Sequence, residues 1–337
     1  MEFDKNEELG RILVTGAGGY VGSSLVPMLL DHGYEVCAFD TYWYGDDVFG
    51  DYKDHKLLSI VSGDLRNLND VKTALSGCGA VIHLACISND PSFDLNPELG
   101  KSINLDCFEP LVKQSKIAGV KRFVYASSSS VYGIKEQPNV TEQDALDPLT
   151  DYSRFKADCE QILLAHKSPN FVTTIIRPAT VCGYSPRQRL DVVVNILTNL
   201  AFNKREITIF GGDQLRPNIH VIDMCRIYLR VLECNSELID GEAFNAGYQN
   251  HSVKELANMV QKAVGPDVKI KKQATDDNRS YHVSSEKIQT VLGFKPIMTI
   301  EDAVVGLLEK LEAGALPNSL DSTLYFNNKR MQELNIK

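Results

Sequence analysis

The sequence lacks the features that take a protein to nucleic acid, into a membrane or out of the cell. Its 337 residues carry 35 basic and 44 acidic side chains, a formal net charge of −9, so no overall positive field attracts nucleic acid or anionic lipid. Its apolar runs all fall short of the roughly 18–20 residues that cross a bilayer. Residues 1–11, MEFDKNEELGR, are acidic and polar, unlike a secretory signal. We therefore expect a cytoplasmic protein with no nucleic-acid partner and no membrane insertion.

Disulfide and metal-binding patterns are also missing. None of the eight cysteines is paired as C-x-x-C, and a chain of this length does not need disulfides to stabilise its core. His83, His220 and His282 are not grouped with cysteines or carboxylates at the spacing of metal ligands. We predict mostly buried free thiols, structural histidines and no metal site.

The sequence does contain an alternation of short apolar runs and helix-like stretches. Hydrophobic residues make up 43% and charged residues 23% of the chain, as in ordinary globular proteins. Nearly continuous apolar runs indicate strands at residues 11–17, 35–40, 57–64, 80–86, 122–128 and 171–178. Strands that alternate with helices predict an α/β fold, a doubly wound parallel sheet covered on both faces.

The alternation changes along the chain. Two of the helical stretches are long, at 97–118, where Pro110 is a candidate kink, and at 151–166. Beyond residue 178 the βα rhythm loosens, which predicts a first domain over residues 1–180 and a smaller α/β lobe over 181–337, with some chain returning to the first domain. The segment from Leu316 to Lys337 shows no clear pattern.

A glycine-rich turn follows the first predicted strand. Residues 16–22 read GAGGYVG, a G-x-x-G-x-x-G pattern that opens a helix, and such glycines let the backbone approach a pyrophosphate at the helix N-terminus. Asp40 closes the second strand, 18 residues after Gly22, where a carboxylate accepts hydrogen bonds from an adenosine ribose. That carboxylate would repel a 2′-phosphate, and no Arg or Lys follows it within TYWYGDD. The pattern predicts binding of NAD in preference to NADP.

The ends of the third and fifth predicted strands supply further polar groups. The fifth strand runs into a cluster of serines at 127–130, and Tyr152 and Lys156 follow at i and i+4 of a helix, on one of its faces. By themselves these are a polar turn and an exposed helical pair. Asp64, at the end of the third strand, is placed to meet the adenine amino group or to cap a helix.

Together these motifs, in this order, closely resemble the extended, nucleotide-sugar branch of the short-chain dehydrogenase/reductase superfamily, a family of NAD-dependent epimerases and dehydratases. The segments TGAGGYVG, GDLRN, HLAC, ASSSSVYG, YSRFK and IIRPATVCG carry the resemblance over the first domain, and NIHVIDM and FNAGY extend it. The resemblance implies a Rossmann-type domain for NAD and a lobe for a nucleotide-diphosphate sugar.

The resemblance also implies the catalytic residues Ser128, Tyr152 and Lys156. Tyr152 would accept a proton from a sugar hydroxyl while the carbon passes hydride to NAD, and Ser128 would hold that hydroxyl. A tyrosine with a pKa near 10 must lose about three pKa units to act as a base at neutral pH. We expect Lys156 and the positively charged nicotinamide to supply this shift.

The binding residues that the resemblance implies fall into two groups. The cofactor contacts are Gly16, Gly19, Tyr20, Val21, Gly22, Asp40, Asp64, Leu65, Leu84, Ala85, Asn104, Ser127, Tyr152, Lys156 and Pro178. The substrate contacts are Ser128, Ser129, Thr180, Arg216 and Arg279. The two arginines would hold the substrate diphosphate, although interlobe salt bridges are an alternative for both.

The residues before Val131 distinguish among the reactions of this family. Related 4,6-dehydratases carry an Asp-Glu pair there, and decarboxylating relatives usually have Glu at the position of Ser130, whereas this chain has Ser129 and Ser130. A hydroxyl-only site resembles UDP-galactose 4-epimerases, which oxidise C4, let the ketone turn over and return the hydride to its other face. We therefore expect a nucleotide-sugar 4-epimerase.

Two alternatives remain open at this point. Thr180 stands where the commonest epimerase pattern has Asn, as in a subgroup tied to bacterial surface polysaccharides that includes nucleotide-heptose C4 dehydrogenases, so a net oxidoreductase is the first. A noncatalytic NAD-binding regulator is the second, and the presence of both Tyr152 and Lys156 disfavours it.

Relatives form homodimers through helices that correspond to 97–118 and 151–166, and we expect a homodimer here.

Overall fold

The computed structural model describes residues 6–88, 90–135, 137, 139–275 and 282–336. The strands are β1 (Arg11–Thr15), β2 (Glu35–Asp40), β3 (Leu58–Ser62), β4 (Cys78–His83), β5 (Arg122–Ala126), β6 (Val172–Pro178), β7 (Thr180–Cys182), β8 (Glu206–Phe210), β9 (Leu215–His220), β10 (Glu242–Ala246), β11 (Gln249–Ser252) and β12 (Lys269–Gln273). The α-helices are α1 (Gly22–Asp31), α2 (Leu68–Leu75), α3 (Asp90–Phe93), α4 (Pro97–Lys101), α5 (Phe108–Ile117), α6 (Asp151–Ala165), α7 (Val193–Lys204), α8 (Val221–Glu233), α9 (Val253–Val264), α10 (Glu286–Leu292), α11 (Ile300–Glu312) and α12 (Asn327–Leu334).

A seven-stranded sheet with the order β10-β6-β5-β4-β1-β2-β3 forms the centre of the molecule. All six strand pairings are parallel. Strand β5 is buried along its whole length, as a strand covered on both faces must be. The predicted doubly wound α/β fold is confirmed, and the six apolar runs of the sequence all form strands of this sheet.

The seventh strand of the sheet comes from the C-terminal half of the chain. Strand β10 pairs with β6 at the edge of the sheet, with Phe244 opposite Ile176. Helix α8 packs on α1, and its apolar face lies in the same core cluster as Leu25 and Leu29. Strand β10 and helix α8 therefore return to the first domain from the chain after residue 180.

The second lobe has a core of its own. Helices α7, α9 and α11 pack together, and Val194, Leu256 and Val304 are among the buried side chains between them. Beside this core lie the pair β12-β8 and the three-stranded sheet β11-β9-β7.

The predicted helix over 97–118 is interrupted before its proline. Helix α4 passes into a π-helical turn, Ser102–Asp106, and α5 begins at Phe108. Pro110 lies in the first turn of α5, where a missing N–H costs nothing. The apolar residues Leu99 and Ile103 are buried within the chain, and so is Leu163, whereas Leu164 is only partly buried.

The C-terminal segment folds back onto the first domain. Met331 of α12 packs against Ile87, Leu99 and Ile103. Among the described residues, no helix combines the length and apolar character needed to traverse a bilayer. All eight cysteines lie in described segments as free thiols, and only Cys86 is not fully buried, as predicted.

Candidate active site

A cavity of about 510 Å³ opens at the carboxyl ends of the parallel strands. The loops that follow β1 to β6 all contribute to its walls, and it lies across the point where the strand order reverses between β1 and β4. Open α/β sheets bind their ligands at this position.

The glycine loop leaves the N-terminus of α1 accessible. None of the described side chains caps this helix, so its first N–H groups are available to an anion. A Cβ atom on Gly22 would lie 2.3 Å from the carbonyl oxygen of Gly16, and one on Gly16, where φ is +71°, would lie 2.6 Å from the backbone nitrogen of Ala85. The loop therefore requires glycine at both positions, and its shape fits the diphosphate of a dinucleotide.

Asp40 lies beside this loop with both carboxylate oxygens engaged. One accepts a hydrogen bond from the N–H of Gly18 at 3.0 Å and the other from the N–H of Tyr42 at 2.8 Å. Burial raises the pKa of Asp40, and the two N–H groups offset part of this rise. The carboxylate lines the cavity, where it can also accept hydrogen bonds from a ribose.

Tyr152 and Lys156 project from the first turns of α6 into the cavity. Thr150 caps this helix and forms a capping box with Ser153, which fixes where the helix begins. The Lys156 ammonium donates a hydrogen bond to the carbonyl oxygen of Ala126 at 2.7 Å and lies 5.9 Å from the centre of the Tyr152 ring. The Ser128 side chain lies close enough to the Tyr152 phenol to lower its pKa, and its hydroxyl is hydrogen-bonded to that of Ser130 at 2.8 Å. The three predicted catalytic residues thus meet in one place.

Burial dominates the electrostatic environment of Tyr152 in the protein alone. Desolvation raises the pKa of its phenol above the ordinary value, and the nearby Cys86 and Asp90 raise it further. Arg189 and Ser128 lower this pKa. The expected shift toward neutral pH depends on Lys156 together with the positively charged nicotinamide, and it stays a prediction for the enzyme with NAD bound.

The side chains of three predicted cofactor contacts are hydrogen-bonded or ion-paired to other groups of the protein. Asn104 lies outside the cavity wall, and its amide pairs with the backbone N–H and carbonyl of Ile87 at 2.8 and 2.9 Å; it positions the loop after β4. The hydroxyl of Ser127 donates to Glu160 at 2.5 Å. The Asp64 carboxylate pairs with the Arg66 guanidinium, although it also lines the cavity.

Most other predicted binding residues line the same cavity. They are Gly19, Tyr20, Val21, Leu65, Leu84, Ala85, Ser129, Pro178, Thr180 and Arg216. Arg279, the second predicted diphosphate ligand, lies outside the described residues.

The structure adds cavity residues that the sequence analysis did not identify. These are Ser88, Arg187, Arg189, Asp191 and Asn327. The sequence carries one signal for this group. Two arginines and an aspartate stand at every second position over 187–191, so their side chains lie on the same side of an extended loop. Asn327 had no such signal, because nothing local connects it to the site.

The histidines behave as structural residues. His83 is buried and hydrogen-bonded to the Thr15 hydroxyl at 2.7 Å, and burial lowers its pKa to about 3. His220 accepts the N–H of Ile222 at the start of α8, and His282 accepts that of Asn139. Within the described part of the chain, no cluster of three or more candidate ligands could hold a metal ion.

The fold, the glycine loop and the Ser-Tyr-Lys group define a nucleotide-binding oxidoreductase-type enzyme of the short-chain dehydrogenase/reductase superfamily. The chain matches the profile of the NAD dependent epimerase/dehydratase family over residues 12–247, and it belongs to that family.

Curated relatives of different activity are about equally similar to this chain. UDP-glucose 4-epimerase of Lactobacillus helveticus is 27% identical over 85% of this chain and 92% of its own length. dTDP-glucose 4,6-dehydratase of Streptomyces griseus is 28% identical over 87% and 91%. The low-salt glycan biosynthesis protein Agl12 of Haloferax volcanii is 27% identical over 87% and 96%.

Solved structures agree with this assignment. MoeE5 in complex with UDP-glucose and NAD is 28% identical, with a TM-score of 0.77 over 91% of this chain and all of that one. The dTDP-glucose 4,6-dehydratase DesIV from Streptomyces venezuelae, with NAD and TYD bound, is 24% identical, with a TM-score of 0.83 over 92% of this chain and all of that one. The enzyme is NAD-dependent, as is its family.

We expect Asp40 to make the protein bind NAD at least about tenfold more tightly than NADP at neutral pH, because its carboxylate repels a 2′-phosphate. Since burial raises the pKa of Asp40, acidification neutralises it at a higher pH than an exposed aspartate, and the preference for NAD should shrink early as the pH falls. Titration calorimetry with both cofactors between pH 5 and 8 measures this. Tighter binding of NADP at neutral pH would contradict the assignment.

Proposed function

We propose that the protein is an NAD-dependent nucleotide-sugar 4-epimerase. The observation that carries the proposal is the surroundings of Tyr152. Hydroxyl groups stand there at the positions where related 4,6-dehydratases carry an Asp-Glu pair. Ser129 and Ser130 both line the cavity, and Ser130 is hydrogen-bonded to Ser128 at 2.8 Å. The acidic residues that line it in the described chain, Asp40, Asp64, Asp90 and Asp191, do not take those positions.

Tyr152 moves the proton in this proposal. Its phenol takes the proton of the C4 hydroxyl on oxidation and returns it after the sugar has turned. Ser128, close to the phenol, holds the C4 oxygen in line, while the Lys156 ammonium, anchored on Ala126, keeps a positive charge beside the ring. When bound, NAD supplies the acceptor for the C4 hydride and its return to the opposite face.

The sugar must turn over while the rest of the substrate stays fixed. Arg216 lies on β9 at the cavity wall, on the second lobe and away from α6, which carries Tyr152. A guanidinium there suits the diphosphate of the substrate, because it binds phosphate oxygens in a planar, bidentate geometry. The sugar beyond the diphosphate is then free to present either face of C4.

The decisive test supplies the purified protein with UDP-, dTDP-, CDP- and GDP-sugars that carry deuterium at C4. We expect one of these to give its C4 epimer with the deuterium still at C4, as followed by NMR, and no lasting NADH absorbance. Stoichiometric NADH without an epimer would establish a net dehydrogenase, and a 4-keto-6-deoxy product would establish a dehydratase. Either result would overturn the epimerase.

A nucleotide-sugar C4 dehydrogenase is the second candidate. Thr180, which replaces the commonest epimerase Asn, lines the cavity, so the departure from the epimerase pattern lies at the site itself. Such an enzyme would serve surface polysaccharide biosynthesis and would exchange its reduced cofactor after each turnover.

We also propose that the enzyme is a cytoplasmic homodimer. The eight free thiols suit a reducing compartment. The dimer is inferred from the family resemblance alone, because Leu99, Ile103 and Leu163 are buried within one chain.

A further inference from the structure

Two arginines of the second lobe lie buried in the wall of the cavity. Arg187 is only 4% exposed, and the side chain of Arg189 is 12% exposed. Both line the cavity together with Asp191. They are distinct from Arg216, which lies on β9.

Each guanidinium keeps one buried N–H group without a hydrogen-bond partner among the described residues. These groups are Nε of Arg187 and Nη2 of Arg189. Arg189 otherwise donates to Asp191 from Nε at 2.8 Å and to Ser88 from Nη1 at 3.2 Å. Buried donors without an acceptor are costly and rare in native proteins. The carboxylates of Asp191 and Asp40 both act on Arg187, but among the described residues neither accepts a hydrogen bond from these two N–H groups. The two groups can therefore donate to a further acceptor, such as an anionic oxygen of a ligand.

Arg187 lies next to the first turn of α1, which follows the glycine loop. Its backbone N–H donates to the hydroxyl of Ser23, in that turn, at 3.1 Å. Its guanidinium stacks 3.8 Å from the ring centre of Tyr44, and Asp40 is among the charges that act on it. The Arg187 segment therefore lies beside the N-terminus of α1, where a dinucleotide diphosphate would bind.

The C-terminal helix holds this arrangement in place. Asn327, the first residue of α12, accepts a hydrogen bond from Nη2 of Arg187 at 2.5 Å and donates to Ser88 at 2.9 Å. Its backbone N–H donates to Asp191 at 2.8 Å. Arg330 of the same helix donates to the carbonyl oxygen of Trp43 at 2.7 Å. The helix thus joins the loops after β2 and β4 to the arginine segment.

We propose that Arg187 and Arg189, braced by Asn327, form a cationic clamp that closes over the diphosphate of bound NAD and slows its release. The clamp deepens the proposed function, because an enzyme that returns hydride to the same sugar must keep its cofactor between the two transfers. Binding of NAD does not depend on which reaction the enzyme catalyses, so the clamp and the epimerase can fail separately.

The test measures the dissociation constants and release rates of NAD and of UDP, dTDP, CDP and GDP for two matched variants. The single tryptophan, Trp43, lines the cavity and serves as a fluorescence probe. Arg187→Gln should weaken NAD binding about tenfold to a hundredfold, the usual loss for a charged hydrogen bond, and leave the nucleoside diphosphate within about twofold. Arg216→Gln should weaken binding of the nucleoside diphosphate about tenfold to a hundredfold and leave NAD binding within about twofold.

Two further variants keep the test interpretable if Arg187→Gln does not fold. Asn327→Ala retains both charges and should speed the release of NAD by a smaller factor, and Arg187→Lys should restore part of the affinity. Loss of nucleoside diphosphate binding in Arg187→Gln, with NAD binding unchanged, would assign the arginine to the substrate diphosphate. Unchanged binding of both ligands in folded Arg187→Gln and Asn327→Ala would make the arginines structural. Either outcome would overturn the clamp.

Discussion

Replacing Tyr152 by Phe should lower kcat about 10²–10⁴-fold, the usual contribution of a positioned proton-transfer group. The phenolic hydroxyl is the only part of the side chain that the substitution removes, and it is the group whose pKa Ser128 lowers. The ring and its position 5.9 Å from Lys156 remain, so binding of NAD and of the nucleotide sugar should change little. Steady-state kinetics with the sugar identified by the deuterium assay measures the loss.

The control for this variant is Tyr52→Phe, which also removes one phenolic oxygen. Tyr52 donates to Asp31 at the protein surface, so its replacement should leave kcat unchanged. Since Tyr152 must be deprotonated to accept a proton, wild-type activity should rise with pH as the phenol loses its proton, and Tyr152→Phe should lose this rise. Near-normal turnover by Tyr152→Phe would reject the phenol as the base.

The parts of the site that the sequence analysis placed correctly are those whose signals are local. The glycine loop, Asp40 and the Tyr152–Lys156 pair each follow from a few adjacent residues and from the edge of the sheet on which parallel strands end. Their mutual approach follows from the strand order, which the βα alternation and the family resemblance predict.

The parts that were missed depend on contacts between distant segments. Asn327 reaches Arg187 across 140 positions of the chain, and no periodicity connects the two. Asn104, which the family resemblance gives as a cofactor contact, has its amide committed to the backbone of Ile87, and this pairing exists only in the folded loop after β4. The desolvation that raises the pKa of Tyr152 likewise depends on packing that appears only in the folded protein.

Replacing Arg177 by Met should lower the free energy of unfolding by about 3–5 kcal/mol, the usual cost of removing one partner of a buried ion pair. Arg177 donates to both carboxylate oxygens of Glu160, at 3.0 and 2.7 Å, and the two side chains are 7% and 1% exposed. The variant leaves the Glu160 charge buried with only the Ser127 hydroxyl as a hydrogen-bond donor. Denaturant unfolding measures the loss.

Two further variants separate this effect from the loss of an ordinary charge. Lys113→Met removes an exposed pair with Glu109 and should cost at most about 1 kcal/mol. The double variant Arg177→Met with Glu160→Met removes both buried charges and should recover much of the lost stability, because paired burial is expensive and apolar replacement is often neutral. Glu160 follows Tyr152 and Lys156 at i+8 and i+4 on α6 and binds Ser127 beside Ser128, so the single variant should also lower kcat by displacing the serine loop. Equal free energies of unfolding for Arg177→Met and Lys113→Met would show that the buried pair does not stabilise the site.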